Sequence, residues 1–468
     1  MNDPKRKKYD EALYELIAEY EQSSRQGEAL FLAEENFLQL LDYYEDEEQL
    51  EKAIEVSDRA ILQHNYSIDF YLRKAYLLLR TDRAPQALDV LDEAASYAPG
   101  ELEIALLRAE ALAQQREYEE ALEQLKPFRQ LDDPQELSDL YLVEAVVYEH
   151  REDYRRMFEA LKKSLHYNPR NEDALDRIWM CADYCQRQEE SATLHQAIID
   201  EDPYSYLAWH NLGHALEHLQ RPEEALEAYE YAFLIKDDYV EAKLDFADLC
   251  YEQEQYARAL DAYQEALEDM PGDAQISLCA GLCYQQLERY EEAQLAYRTA
   301  IKTMPDYEDA YYHLGESLGT QGKWAEAAHY FKHAITLYPE EASFHCAAAE
   351  AAFQLNDWKE AEAGYQRATA LAAEESAYWL DYAWFLLATH RPAEAATLLN
   401  QATETLMDAE LAYAHAACLM VAGRQKEGYQ ALGDALGLYY AEHPYLFEWL
   451  PPLKVDPLTN AMLDLYRS

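Results

Sequence analysis

Three histidines spaced four residues apart, His210, His214 and His218, are the side chains best suited to metal chemistry. This spacing places them on one face of a helix, and imidazole nitrogens are common metal ligands. Carboxylates for such a site are expected on neighbouring helices: Asp176, Asp183 and Asp248. The outer two histidines are about 12 Å apart along a helix, too far for one ion, and no His-Glu-x2-His motif is present. We therefore expect no bound metal and treat the histidines as polar residues that contact a partner.

Two pairs of cysteines are also four residues apart, Cys181 with Cys185 and Cys279 with Cys283. Neither pair has a histidine or a further cysteine at zinc-finger spacing. Such cysteines are typical of the core of a reduced protein. The sequence shows neither a signal peptide nor an apolar stretch long enough to span a membrane. We therefore predict a cytoplasmic protein without membrane insertion.

Motifs for catalysis are missing from the sequence. It has no Gly-x-Ser-x-Gly motif and no phosphate-binding glycine-rich loop, and it contains only 13 glycines. The many carboxylates do not indicate acid–base catalysis, because a solvated helical surface supplies them equally well. We predict that the protein is not an enzyme and that it has no cofactor.

The elements that must position these residues repeat along the chain, most clearly in residues 308–339. The pattern is aromatic-x2-Leu-Gly-x2-Leu followed by Ala-x3-Phe-x2-Ala-x4-Pro, formed by Tyr311, Leu314, Gly315, Leu318, Ala327, Phe331, Ala334 and Pro339. Leu314 and Leu318 lie one helical turn apart. Gly315 leaves room for a second helix, and Pro339 ends that helix. This pattern resembles the tetratricopeptide repeat, a helix–turn–helix unit of about 34 residues.

The same register recurs about every 34 residues. Units are predicted to start near Glu34, Ile68, Leu102, Ser138, Glu172, Tyr206, Val240, Ala274, Glu308, Ala342, Ser376 and Ala409. A small residue opens the second helix in ten units, as Ala53, Ala87, Ala121, Ala225, Ala259, Ala293, Ala327, Ala361, Ala395 and Gly428. The resemblance implies an all-α fold, a right-handed superhelical solenoid of about twelve helix-turn-helix repeats over residues 34–439.

Some segments depart from the repeat. In the unit at 172–203, Ile178 and Trp179 stand where small residues are expected, so we predict looser packing there. A capping helix is predicted within residues 1–33, running from Asp3 to residue 33. Residues 440–468 are predicted to cover the other end. This C-terminal cap would be an aromatic and proline-rich irregular segment, followed by a helix that Asp456 caps.

The resemblance also implies where a ligand would bind. In this family the first helix of each unit lines a concave groove, and positions 2, 5, 9, 12 and 13 of a unit face it. Of sixty such positions here, twenty are acidic and only Arg80 is Lys or Arg, whereas 91 of all 468 residues are acidic. Acidic residues are therefore concentrated in the predicted groove. The predicted partner-binding residues are Asp42, Asp69, Tyr76, Glu110, Asp176, Asp183, His210, His214, His218, Asp248, Tyr251, Asp309, Tyr312, Glu316, Phe353, Leu380, Trp384 and Tyr413.

Near the C terminus the groove positions become apolar, as at Phe353, Leu380, Trp384 and Tyr413. If these side chains are exposed, they form a hydrophobic patch of the kind that marks a binding site. If they are buried, the segment 447–449 folds back over them. The sequence leaves both alternatives open.

The net charge of −52 limits the classes of partner. It disfavours phosphate contacts to nucleic acid and attraction to an anionic membrane. A protein or peptide with a basic or amphipathic segment fits better, although an acidic surface can also serve solubility alone. We therefore predict a non-catalytic scaffold that binds such a segment in the groove. The alternative is an assembly protein that self-associates through its apolar C-terminal patch.

Overall fold

A computed structural model describes residues 11–26 and 30–467 of the protein. Within these residues the chain is all-α, without β-strands, and 24 of its 27 α-helices form twelve consecutive helix-turn-helix pairs. The predicted fold class is confirmed. Two compact units, Met1–Ala242 and Lys243–Ser468, divide the chain within helix α14.

The first unit begins with α1 (Glu11–Gln26) and continues with pairs of helices. The first helices of these pairs are α2 (Glu34–Asp46), α4 (Ile68–Arg80), α6 (Leu102–Gln114), α8 (Pro134–His150), α10 (Glu172–Cys185) and α12 (Tyr206–His218). The second helices are α3 (Leu50–Gln63), α5 (Ala84–Tyr97), α7 (Tyr118–Leu125), α9 (Tyr154–Tyr167), α11 (Gln188–Glu201) and α13 (Pro222–Ile235).

The second unit continues the alternation and ends in a different arrangement. Its first helices are α14 (Val240–Glu252), α16 (Ala274–Gln286), α18 (Glu308–Thr320), α20 (Ala342–Gln354), α22 (Ser376–Ala388) and α24 (Ala409–Val421). Its second helices are α15 (Tyr256–Asp269), α17 (Tyr290–Thr303), α19 (Trp324–Leu337), α21 (Trp358–Leu371), α23 (Pro392–Thr405) and α25 (Gln425–Leu438). The chain closes with α26 (Pro444–Trp449) and α27 (Pro457–Tyr466).

Several pairs, among them α12/α13, α16/α17 and α18/α19, pack an aromatic ring of the second helix against a glycine of the first. At α18 and α19, an ideal Cβ on Gly315 would lie only 2.6 Å from Cε1 of Phe331. The ring of Phe331 therefore occupies the space that a side chain at Gly315 would need. Leu314 and Ala327 are fully buried beside it. The repeat motif thus consists of packing residues.

A residue with positive φ stands in the turn between the two helices of each pair. These residues are Glu48, Asp82, Arg116, Glu152, Gln186, Gln220, Glu254, Glu288, Gly322, Asn356, His390 and Gly423. The left-handed conformation lets the next N–H reach back to the first helix, as in the 2.8 Å hydrogen bond from Arg83 to the carbonyl of Leu78. Such bonds satisfy helix-terminal carbonyls and reverse the chain.

The N-terminal helix ends earlier than predicted. The predicted start at Asp3 lies outside the described residues, and α1 ends at Gln26. Residues 30–33 are not helical, because side chains of the first pair hold their backbone. The amide of Gln63 exchanges hydrogen bonds with this segment, donating to the carbonyl of Leu30 (2.8 Å) and accepting from the N–H of Leu32 (3.1 Å).

The start of the fourth pair also differs from the prediction. Helix α8 begins at Pro134, four residues before the predicted unit start at Ser138. Asp133 caps it, accepting a 2.8 Å hydrogen bond from the N–H of Gln135, and proline suits the first helical turn. The residues inserted before it form a 3-10 helix, Lys126–Gln130.

The pair α10/α11 packs differently from the other pairs. Helix α11 contacts the next helix, α12, more extensively than its own partner α10. The indole of Trp179, which stands where a small residue is expected, stacks on His214 of α12 at 4.8 Å. The looser pair predicted from the sequence is therefore present, because large residues replace the small ones that allow close approach.

Candidate partner-binding surface

In the second unit, helices α16, α18, α20, α22 and α24 contact one another in succession. Their outward side chains therefore form one continuous surface, which we call the first-helix face of the second unit.

None of the helices that the structure describes is long and apolar enough to span a bilayer.

A row of four carboxylates lies on this face. It consists of Asp309 and Glu316 on α18, Glu350 on α20 and Asp381 on α22. Among the described residues, none of the four forms a salt bridge to Lys or Arg. We call these four residues the carboxylate row.

The hydrogen bonds of the row come from neighbouring uncharged or weakly basic groups. Glu316 accepts a hydrogen bond from Tyr312 Oη (2.8 Å), and its other oxygen lies 2.9 Å from Nδ1 of His313. Asp381 accepts one from the thiol of Cys346, with Sγ 3.3 Å away. Neighbouring groups therefore hold these carboxylates in place, but no permanent cation neutralises their charge.

Three carboxylates of the row, Glu316, Glu350 and Asp381, interact electrostatically. Partial burial raises the pKa of Glu350, and the charges of Asp381 and Glu316 raise it further. Burial also raises the pKa of Asp381, although the hydrogen bond from Cys346 opposes this shift. A cation placed among them would relieve their mutual repulsion.

An aromatic floor lies beside the row. The ring of Tyr312 is half-buried, with its centroid 5.1 Å from that of Phe344 and 6.0 Å from that of Phe331. Burial, and secondly the charge of Glu316, raise the pKa of Tyr312. Its hydroxyl therefore stays protonated and donates to Glu316.

Some groove carboxylates of the first unit are paired with arginines. Arg73 on α4 bridges Asp42 and Glu45 on α2, with 2.6 Å between Arg73 Nε and Glu45 Oε1. Arg177 on α10 pairs with Glu149 on α8 at 2.6 Å. Each arginine comes from the next first helix along the chain, so part of the acidity predicted there is neutralised internally.

Other predicted residues of the first unit differ in exposure. Asp69 and Asp176 are exposed. Tyr76 is exposed too, and the guanidinium of Arg80 lies 6.0 Å from its ring centroid. Glu110 is half-buried, and desolvation raises its pKa to about 7 although Arg177 acts in the opposite direction.

The three histidines of α12 have different partners. His210 is buried, with Nδ1 2.8 Å from Tyr239 Oη. Nδ1 of His214 lies 3.2 Å from Tyr229 Oη. His218 is exposed, and its Nε2 lies 3.3 Å from a carboxylate oxygen of Asp183. Because His210 is buried, its predicted role as an accessible partner-binding residue is not supported.

Two predicted residues lie on α14. Asp248 accepts a hydrogen bond from the hydroxyl of Tyr263. Tyr251 is half-buried, and its ring meets that of Tyr256 edge-on at 5.3 Å.

The apolar C-terminal patch is covered by the chain's own C-terminal segment. Helix α26 packs on α24, and the indole of Trp449 stacks on that of Trp384 with centroids 4.5 Å apart. Trp449 Nε1 also donates to a carboxylate oxygen of Glu410 at 3.3 Å. Tyr413 is fully buried, and its hydroxyl donates to the carbonyl of Tyr439 at 2.7 Å.

This arrangement corrects three expectations. Leu380 and Tyr413 are buried, and Phe353 is half-buried against Phe385, so these residues belong to the core rather than to an accessible anchor for a partner. The self-association alternative loses most of the exposed patch that it requires, since only Trp384 and Val421 of the apolar groove positions stay exposed among the described residues. The segment 440–452 is mostly short helix instead of irregular, because its apolar residues dock on the last pair. The predicted cap at Asp456 is confirmed by its 2.7 Å hydrogen bond from the N–H of Thr459.

Sequence reasoning missed Asp381. It stands at position 6 of its unit, outside the five positions expected to face a ligand. The signal that would have found it is helical geometry, because position 6 lies one turn from positions 2 and 9 and shares their face.

Comparisons with known proteins identify the same kind of repeat. Family models described as TPR repeat or tetratricopeptide repeat match residues 72–126, 206–239, 281–322 and 320–380. No curated protein sequence matches the chain significantly.

Several solved structures are similar to parts or most of the chain. The APC/C hetero-tetramer Cut9-Hcn1 is 13% identical over 86% of this chain and 97% of that chain, with a TM-score of 0.38. MamA is 18% identical over 35% of this chain and 95% of its own, with a TM-score of 0.34. YrrB, a TPR protein with an unusual peptide-binding site, is 18% identical over 39% of this chain and 95% of its own, with a TM-score of 0.35.

Proposed function

The chain belongs to the tetratricopeptide repeat family, whose members generally bind proteins or peptides, and we propose that it is a non-catalytic scaffold for a basic or amphipathic partner segment. The observation that carries this proposal is the carboxylate row on the first-helix face of the second unit, which has no Lys or Arg partner among the described residues. Lys or Arg side chains of a partner supply that missing charge.

The surroundings of the row favour a segment with both charge and apolar surface. The half-buried Tyr312, which packs on the buried Phe344, offers ring surface next to the carboxylates. The methylene stem of a lysine or arginine packs on such rings while its cationic head reaches an acid. The apolar anchor that the sequence suggested near the C terminus is not part of this proposal, since α26 covers it.

The test compares two variants with the same change in net charge. The first, Glu316→Gln/Glu350→Gln/Asp381→Asn, neutralises three members of the row. The control is Glu265→Gln/Glu291→Gln/Glu326→Gln, which neutralises three exposed carboxylates of the second helices α15, α17 and α19.

Both variants and the wild type are used to capture interacting proteins at low and high salt. We expect a set of partners with basic segments that is lost in the row variant and at high salt, but retained by the control. Equal retention by both variants, or partners that bind independently of salt, would reject the proposal.

A further inference from the structure

Helix α9 carries the largest excess of positive charge among the helices that the structure describes. Arg155, Arg156, Lys162 and Lys163 stand against one acid, Glu159. This excess occurs in a chain with 91 acidic and 39 basic residues. We call these four cations of α9 the basic island.

The basic side chains point away from the core. Phe158 and Leu161 are fully buried, whereas Arg155 and Lys163 are exposed. Neither Arg155 nor Lys163 has a carboxylate within salt-bridge distance in the part of the chain that the structure describes. Lys162 is paired with Glu190 on α11. Two cations of the island are thus open to a partner.

An apolar cavity adjoins this island. It lies between the second helices α9 and α11 and has a volume of ≈ 450 Å³. Leu165, Leu194 and Ile198 contribute apolar wall, and Lys163 and His166 lie at its rim. Its volume falls within the range of about 300–1,000 Å³ that is typical of ligand pockets.

One side of the cavity is aromatic. The rings of Tyr141 and Tyr167 are stacked in parallel, with centroids 5.8 Å apart, and Lys163 Nζ lies 5.0 Å from the centre of Tyr141.

Two acids also line the cavity. Glu159 is paired with Arg187 at 2.6 Å, which leaves Glu201 as the acid that opposes an anionic ligand.

We infer that this surface, formed by α9 and the cavity beside it, binds a short acidic segment of a partner protein that inserts one aromatic side chain. Charge complementarity selects the acidic segment, and the apolar walls with the tyrosine pair select the aromatic ring. A nucleic acid fits less well, because its phosphates would extend onto the surrounding acidic surface. The inference is independent of the proposed function, which concerns first helices of the second unit.

The probe is a fluorescently labelled peptide of Asp and Glu residues around one central Trp. Its binding to the full chain is measured by anisotropy, next to a peptide with Ala in place of Trp. Arg155→Glu/Lys163→Glu tests the island. Arg298→Glu/Lys359→Glu reverses two exposed cations on α17 and α21 and is the matched control.

We expect saturable binding of the Trp peptide that weakens at least tenfold in the island variant and on replacement of Trp by Ala, with little change in the control. Circular dichroism checks that both variants are folded. No saturable binding, an equal loss in both variants, or equal affinity for the two peptides overturns the inference. Light scattering tests whether the protein self-associates through this face. Self-association that is lost in the island variant would also overturn the inference, because the occupant would then be a second copy of this chain.

Discussion

The indole rings of Trp384 and Trp449 stack with their centroids 4.5 Å apart and their planes 26° from parallel. Trp384 belongs to α22, within the repeats, and Trp449 ends α26, in the C-terminal segment. The contact ties this segment to a face that other repeats leave open. The chain's own C terminus thus occupies the position at which a ligand was expected.

Replacing Trp449 with Ala should loosen this end of the molecule. Trp449 is only 5% exposed, and removing a buried Trp side chain costs about 3–5 kcal/mol. Because repeats interact mainly with their neighbours, we expect faster hydrogen exchange in α24 and little change in α16. Leu458→Ala, at an exposed position of α27, serves as the control. Unchanged exchange in α24 would show that the stack does not hold the segment in place.

Glu110 should make stability depend on pH. Its pKa of about 7 exceeds the value of about 4.3 expected in the unfolded chain, so the folded state binds the proton more tightly. Stability then falls as pH rises from about 4.3 to 7. Glu110→Gln mimics the protonated acid and should raise the unfolding midpoint at pH 8 but not at pH 4.5, whereas exposed Glu120→Gln should change neither. An equal shift at both pH values would contradict this assignment.

His195 should make stability depend on pH in the opposite direction. It is fully buried, and desolvation lowers its pKa to about 4, below the unfolded value of about 6.5. The unfolded chain therefore takes up the proton first, and stability falls as pH decreases from about 6.5 to 4.

A His195→Phe variant should lose this part of the acid sensitivity. Urea unfolding at pH 4.5 and pH 7 measures it, and the quantity compared is the change between the two pH values. Exposed His333→Phe is the control. If the two variants show the same dependence on pH, His195 is not the group responsible.

Gly315 should tolerate no side chain. Its Cβ would lie 2.6 Å from Phe331, so Gly315→Ala must displace a buried ring and should destabilise the protein by about 1–3 kcal/mol. Gly437→Ala meets its nearest atom, in Tyr466, at an ordinary 3.7 Å. This control should be neutral or stabilising by up to about 1 kcal/mol, because Ala favours helix. Thermal unfolding of both variants measures the difference, and equal midpoints would refute the packing argument.

The sequence predicted the fold better than the site. Alternating large and small residues at Gly315, Ala327 and Phe331 act between adjacent helices, so their spacing alone identifies the repeat. Exposure was harder to predict. The groove register predicted that both Glu316 and Tyr413 face a ligand, but Tyr413 is buried, because register says which way a residue points and not what covers it.

The sequence by itself determined the helical pairs, the order in which they follow and the large excess of negative charge. These properties follow from local periodicity and composition, which need no knowledge of distant contacts. Only the tertiary structure decided which carboxylates are neutralised, as Asp42 is by Arg73, and which stay without a Lys or Arg partner, as Glu350 does. It also decided that Trp449 covers the last repeats. Both depend on distances between side chains that are far apart in the sequence, and pattern alone does not fix those distances.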